Sequence, residues 1–171
     1  MSGTFRRLPF ALLCLIFLSA LPAIVNGQEA AVIADKELAR VVPSSFYFQG
    51  QSGPTQMRNA AAARLGANRL VIAGMVDTSG YASDVRARYE GFFITDSAVS
   101  VGGQSLNTGA YGFGFAADGK LTIFDISGKQ MLSVAAASDK DLKRPRPLMM
   151  SKAADGIRLY SGRNYVVIAA Q

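Results

Sequence analysis

The stretch from Leu106 to Ile126 leaves a chain few folds to choose from. It reads Leu-Asn-Thr-Gly-Ala-Tyr-Gly-Phe-Gly-Phe, then Ala-Ala-Asp-Gly-Lys, then Leu-Thr-Ile-Phe-Asp-Ile. Tyr111, Phe113 and Phe115 alternate with Gly112 and Gly114, so an extended backbone sends the rings to one face and nothing to the other. Asp118-Gly119 supplies the positive dihedrals of a tight turn, and Leu121 to Ile126 returns as a second strand. A bare strand face marks close approach of another backbone or a bend in the sheet.

The rest of the chain has the same character. Ser45 to Phe48 is an aromatic strand. Leu70 to Val76 is a continuous apolar run of strand length, which places it inside a sheet with both faces covered. Thr55 to Leu65 is ambiguous: Ala60 to Ala63 favours helix by propensity, whereas the short Gly66-Ala67-Asn68 connection to Leu70 favours a hairpin. Strand is the better reading. Asp84 to Thr95 alternates, with Val85, Ala87, Tyr89, Gly91 and Phe93 on one face and Arg86, Arg88 and Glu90 on the other. Ala98 to Val101, Leu148 to Ser151, Ile157 to Tyr160 and Tyr165 to Ala169 add short strands, and Met131 to Ala136 adds a strand or short helix. Ser138 to Pro147, with two prolines and mixed charge, reads as an exposed connection. About nine or ten short antiparallel strands and little helix predict an all-β domain, either a β-sandwich or a small β-barrel.

The N-terminal region reads as a leader. Arg6-Arg7 precedes an apolar run from Leu8 to Leu21, and Val25 with Gly27 suits signal peptidase, giving a signal peptide over 1–27. The run of about 14 residues is shorter than the roughly 20 needed to span a bilayer; a retained anchor is the alternative. Residues 28–43 form a lead-in, either a helical turn or two or a flexible segment, and 44–171 the β-domain. Twin arginines leave the export route open between the general and the folded-protein systems. Cys14 follows Leu13, which is not small, so it does not suit lipid attachment.

Composition then excludes chemistry. The only cysteine lies in the leader and the chain has no histidine. A processed domain of about 144 residues would hold no disulfide, and would lack the commonest proton shuttle and zinc ligand. The formal charge of +6 includes the two leader arginines. The remaining mild basicity permits weak attraction to anionic surfaces and is no nucleic-acid footprint.

Four phrases resemble a group of small secreted bacterial β-domain proteins of uncharacterised activity. They are Phe46 to Gln56 (Phe-Tyr-Phe-Gln-Gly-Gln-Ser-Gly-Pro-Thr-Gln), Val76 to Tyr81 (Val-Asp-Thr-Ser-Gly-Tyr), Gly109 to Phe115, and Arg158 to Val166. The resemblance implies a secreted β-domain and brings no reaction, ligand or site with it.

Three constellations carry candidate chemistry. Gln49, Gln51, Gln56, Arg58 and Asn59, read as a loop beside an aromatic strand, have the amides and guanidinium of a sugar- or peptide-binding surface. Asp77, Thr78, Tyr81 and Asp84 gather in one turn. Two carboxylates there could act as acid and base on a glycan, or hold calcium, although the spacing matches no calcium loop; turn capping is the simpler role. Lys140, Lys143, Arg144 and Arg146 could touch anionic glycan or lipid headgroups, or simply be solvated. No nucleophile motif, phosphate loop or dinucleotide fingerprint is present, so no catalytic residue, metal or cofactor is assigned. The expectation is an exported, periplasmic or extracellular, non-enzymatic binding or structural module whose partner is an envelope protein or glycan. The ligand-binding candidates are Gln49, Gln51, Gln56, Arg58, Asp77, Tyr81 and Asp84. The alternatives are a barrel-type carrier of an apolar molecule lined by Tyr111, Phe113 and Phe115, a carboxylate-based glycan-acting enzyme, and an outer-membrane barrel.

Overall fold

The structure is a computed structural model that describes residues 30–66 and 69–171. The leader expected over 1–27, and part of the turn expected at Gly66-Ala67-Asn68, lie outside the described residues.

Among those residues, 14 strands and two single-turn helices form a β-sandwich of two antiparallel sheets, not a closed barrel. The strands are β1 Ala31–Val32, β2 Ser45–Phe48, β3 Gln51–Arg64, β4 Leu70–Val76, β5 Gly91–Thr95, β6 Val99–Val101, β7 Gln104–Leu106, β8 Gly109–Phe115, β9 Lys120–Phe124, β10 Gln130–Ala135, β11 Ala137–Ser138, β12 Arg146–Ala153, β13 Gly156–Gly162 and β14 Asn164–Ala170. The helices are α1 Asp35–Leu38 and α2 Ser83–Arg86. The first sheet runs β1-β3-β4-β5-β8-β9-β10, with β2 paired to β3; the second runs β12-β13-β14-β6-β7, with β11 paired to β14. The count exceeds nine or ten because β1, β7 and β11 are pairings of two or three residues that no side-chain periodicity announces, and because the stretch left between strand and short helix is the strand β10.

Strand alternation sorts the first sheet into two faces. Ala61, Ala63, Val71, Ala73, Phe93, Tyr111, Phe113, Leu121 and Ile123 face the second sheet and pack on its Val101, Leu148, Ile157, Leu159 and Ile168. The barrel alternative therefore fails, and Tyr111 and Phe113 fill the space between the sheets. On the opposite face Ala60, Ala62, Ile72, Val76, Phe92 and Phe124 meet Leu38 and Val42 from the N-terminal segment, Phe46 and Phe48 from β2, and Tyr81 and Tyr89. The first sheet is thus covered on both sides. Ala60 to Ala63 sit in a strand because close covering of both faces selects small side chains, which overrides their helical propensity.

The bare face of β8 is where the outer layer comes closest. A Cβ on Gly112 would lie 2.5 Å from the Phe48 ring, and one on Gly114 would strike the Arg88 carbonyl. Phe48 in turn stacks on Tyr89, with ring centroids 4.0 Å apart. The hairpin glycines admit that outer layer.

Two expectations are corrected. Asp84 to Thr95 is not one strand: α2 takes Ser83–Arg86 and pairing starts at Gly91. Val85 and Tyr89, four residues apart and so on one face of a strand, are also one helical turn apart, and the Tyr89 amide donates to the Val85 carbonyl at 2.9 Å. Tyr89 reaches the outer core by that turn. Nor is Gln49 to Asn59 a loop. Gln49 and Gly50 alone form the turn, with φ of 47° and 82°, as a type I′ hairpin turn requires. Pairing resumes at once, with Phe48 opposite Gln51 and Ser45 opposite Pro54.

Candidate functional site

The irregular point in the first sheet is within β3. Thr55 lies opposite Val76 and Ala60 opposite Gly74, so β3 spends three more residues than β4 over the same span. Gln56, Met57, Arg58 and Asn59 share the span of Met75 alone and bulge outward. The bulge closes on itself: Asn59 Nδ2 donates to Gln56 Oε1 at 2.9 Å, and Gln56 Nε2 donates to the Val76 carbonyl at 3.2 Å. Met57 is left 38% exposed. Across from it, Arg146 at the start of β12 donates from Nη2 to the Arg58 carbonyl at 2.8 Å, joining the edges of the two sheets.

Between the bulge and α1 runs an open groove of about 450 Å3, lined by Asp35, Leu38, Ala39, Met57, Arg58, Ala60 and Arg146. A narrow extension continues past Ile33 to Met149 and Met150. Leu38, Ala39, Met57 and Ala60 give an apolar floor, and two guanidiniums and one carboxylate form the rim. Among the described residues the Arg58 guanidinium makes no hydrogen bond or ion pair, so its donors are open to a ligand.

The other candidates fall around the β2–β3 hairpin. Tyr81 Oη donates to the Gln51 carbonyl at 2.8 Å, and its ring stands edge-on to Tyr89 with centroids 5.4 Å apart. Burial raises the Tyr81 phenol above its usual range. The Gln51 side chain lies over Gly80, where a Cβ would come within 2.5 Å of its Nε2. Asp77 Oδ1 accepts from the Ser79 amide at 3.0 Å, and that bond, reinforced by the Ser79 side chain, holds its carboxyl below the ordinary carboxylate range. The Asp77 amide donates to the Pro54 carbonyl at 2.9 Å. Gln51, Gln56, Asp77 and Tyr81 therefore share one seam, and each is engaged in holding it.

Gln49 and Asp84 are elsewhere. The Gln49 amide and its Nε2 donate to the carbonyls of Ile126 and Ser127 at 2.8 and 3.1 Å, fastening the hairpin tip to the β9–β10 turn. Asp84 is exposed in the first turn of α2. Among the described residues no three histidine, cysteine, aspartate or glutamate side chains gather as a metal site.

Sequence reasoning placed Arg58 at the site and missed Met57, Leu38 and Arg146. Met57 stood among the amides and could have been read as part of the surface. Arg146 was read with the late basic cluster and not with this groove, because its partner Arg58 is 88 residues away. Glu90 was also missed as more than a wet-face residue. Its Oε2 accepts from the Phe115 amide at 3.2 Å, and burial raises its carboxyl above the usual range against that bond.

The chain matches no protein-family model, no curated protein and no solved structure. Function therefore has to be argued from the site itself.

Proposed function

We propose that this chain is an exported, non-enzymatic binding module of the cell envelope, one of the small secreted β-domain proteins that its sequence phrases resemble, and that it holds its partner in the groove beside the β3 bulge. The observation that carries the reading is the outward bulge that sets Met57 and an unpaired Arg58 over an apolar floor. An adaptable thioether beside a guanidinium suits a partner with an apolar group next to a carboxylate, such as an acidic peptide segment of an envelope protein. Asp77 and Tyr81 support the non-enzymatic reading, because their polar atoms hold Ser79 and Gln51 in place.

The test is a thermal-shift screen against short acidic peptides and anionic oligosaccharides, repeated with the Met57→Ala/Arg58→Ala double variant. At a ligand concentration about 100 times its Kd, binding stabilises by about 2.7 kcal/mol. An acidic peptide should raise the Tm of the parent and leave that of the double variant unchanged, with the unliganded Tm values alike. Equal shifts in both proteins, or turnover of any compound in the screen, would sink the proposal.

A further inference from the structure

The polar loop 139–145 between β11 and β12 is exposed, yet its first four residues are fastened to neighbouring strands and turns. Asp139 Oδ2 accepts from Tyr160 Oη at 3.0 Å and lies 3.9 Å from Arg158 Nη1. Arg158 is itself held, its guanidinium lying over the Tyr165 ring at 4.5 Å. Asp139 Oδ1 caps the Asp141 amide at 3.2 Å, and the Asp139 amide donates to the Arg163 carbonyl at 2.9 Å. Arg163, from the β13–β14 turn, donates through Nη1 to the carbonyls of Lys140 (3.0 Å) and Leu142. At the far end Arg146 is tied to the Arg58 carbonyl.

These bonds use backbone carbonyls and Asp139, leaving the loop's own cations untouched. Lys140, Lys143 and Arg144 are exposed, and among the described residues their side chains make no hydrogen bond or ion pair. Part of the ordering entropy of this seven-residue loop has thus been met at 139–142 and, just beyond its end, at Arg146. A merely solvated loop does not need that bracing. A loop that presents charges to a partner does, because prior ordering removes a cost of binding.

We propose that this braced loop is an electrostatic docking surface for an anionic lipid bilayer. The cations project from an exposed loop and not from a cleft, so they can lie along a flat charged surface but cannot enclose a sugar ring. Asp139 is balanced by Arg158, so the exposed Asp141 is the one carboxylate left in the loop against the three cations, and positive charge stays in surplus. Each Lys or Arg near an anionic membrane adds attraction that is screened within a Debye length. This site is separate from the bulge groove and does not depend on that reading.

The experiment is co-sedimentation of the purified chain with vesicles of phosphatidylglycerol and phosphatidylcholine, and with vesicles of phosphatidylcholine alone, between about 50 and 300 mM salt. The chain should bind the anionic vesicles, lose most of that binding at the upper salt, and ignore the neutral ones. Lys140→Gln/Lys143→Gln/Arg144→Gln should lose affinity at least tenfold, whereas the charge-matched Lys36→Gln/Arg86→Gln/Lys129→Gln should lose no more than about threefold. Arg163→Lys keeps the charge but replaces the rigid guanidinium with an ammonium on a shorter, flexible stem that holds the two carbonyls less firmly, so it should weaken binding several-fold at an unchanged Tm. Equal losses in the two triple variants would reduce the effect to net charge and overturn the proposal. So would indifference to lipid charge, or tighter binding to a soluble anionic polysaccharide than to vesicles.

Discussion

Glycine 114 shows how a missing side chain decides a fold. The outer layer reaches the first sheet at the Arg88 carbonyl, in the space a Cβ would occupy. Backbone cannot rotate away as a side chain can, so Gly114→Ala should destabilise by about 3 kcal/mol, at the upper end for overpacking. Gly112→Ala meets the Phe48 ring instead and should cost less, about 1–2 kcal/mol; urea midpoints of the two variants would show the order. Glu90 gives the pH counterpart. Its carboxyl is raised by burial, so folding favours the neutral form, and the cost of the charged form is absent below the ordinary glutamate value and grows as pH rises above it. Glu90→Gln keeps an acceptor for the Phe115 amide. Its Tm should match the parent near pH 3.5 and exceed it near pH 7, a crossing readable by calorimetry.

At the scale of elements, the β3 bulge separates folding from recognition. Deleting Met57, Arg58 and Asn59 would bring Gln56 opposite Met75 and Ala60 opposite Gly74 in one uninterrupted ladder. The shortened protein should fold with stability within about 1–2 kcal/mol of the parent, a typical range for single changes, and lose the acidic-peptide response completely. Circular dichroism and the thermal-shift screen together would check it. The alternation of Tyr111 to Phe115, the run from Leu70 to Val76 and the Asp118-Gly119 turn were legible because their periodicity or turn chemistry admits one structure. Val85 and Tyr89 were not, since their spacing serves strand and helix alike. The groove was hidden for a different reason: Leu38, Met57 and Arg146 lie far apart in the chain, and only pairing of distant strands brings them together. Even the Gln49-Gly50 turn was masked, because glutamine is an uncommon choice for a positive φ and the flanking Gly53 and Pro54 mimic a longer loop.

For the whole molecule, a single cysteine means that stability owes nothing to an intramolecular disulfide, so a reducing agent should leave the Tm unchanged. Strand partners distant in sequence, such as β14 with β6 and β1 with β3, predict folding on the millisecond-to-second scale seen for sandwiches, measurable by stopped-flow fluorescence of the tyrosines. The four alanines of β3 bear on how that structure comes apart. Two of them floor the stack between the sheets and two floor the stack beneath β2, so both stacks rest on one leaf of backbone only a methyl group thick on either side. Neither can be peeled from that leaf while the other stays flat, and heat or denaturant should dissolve the pair together in one step.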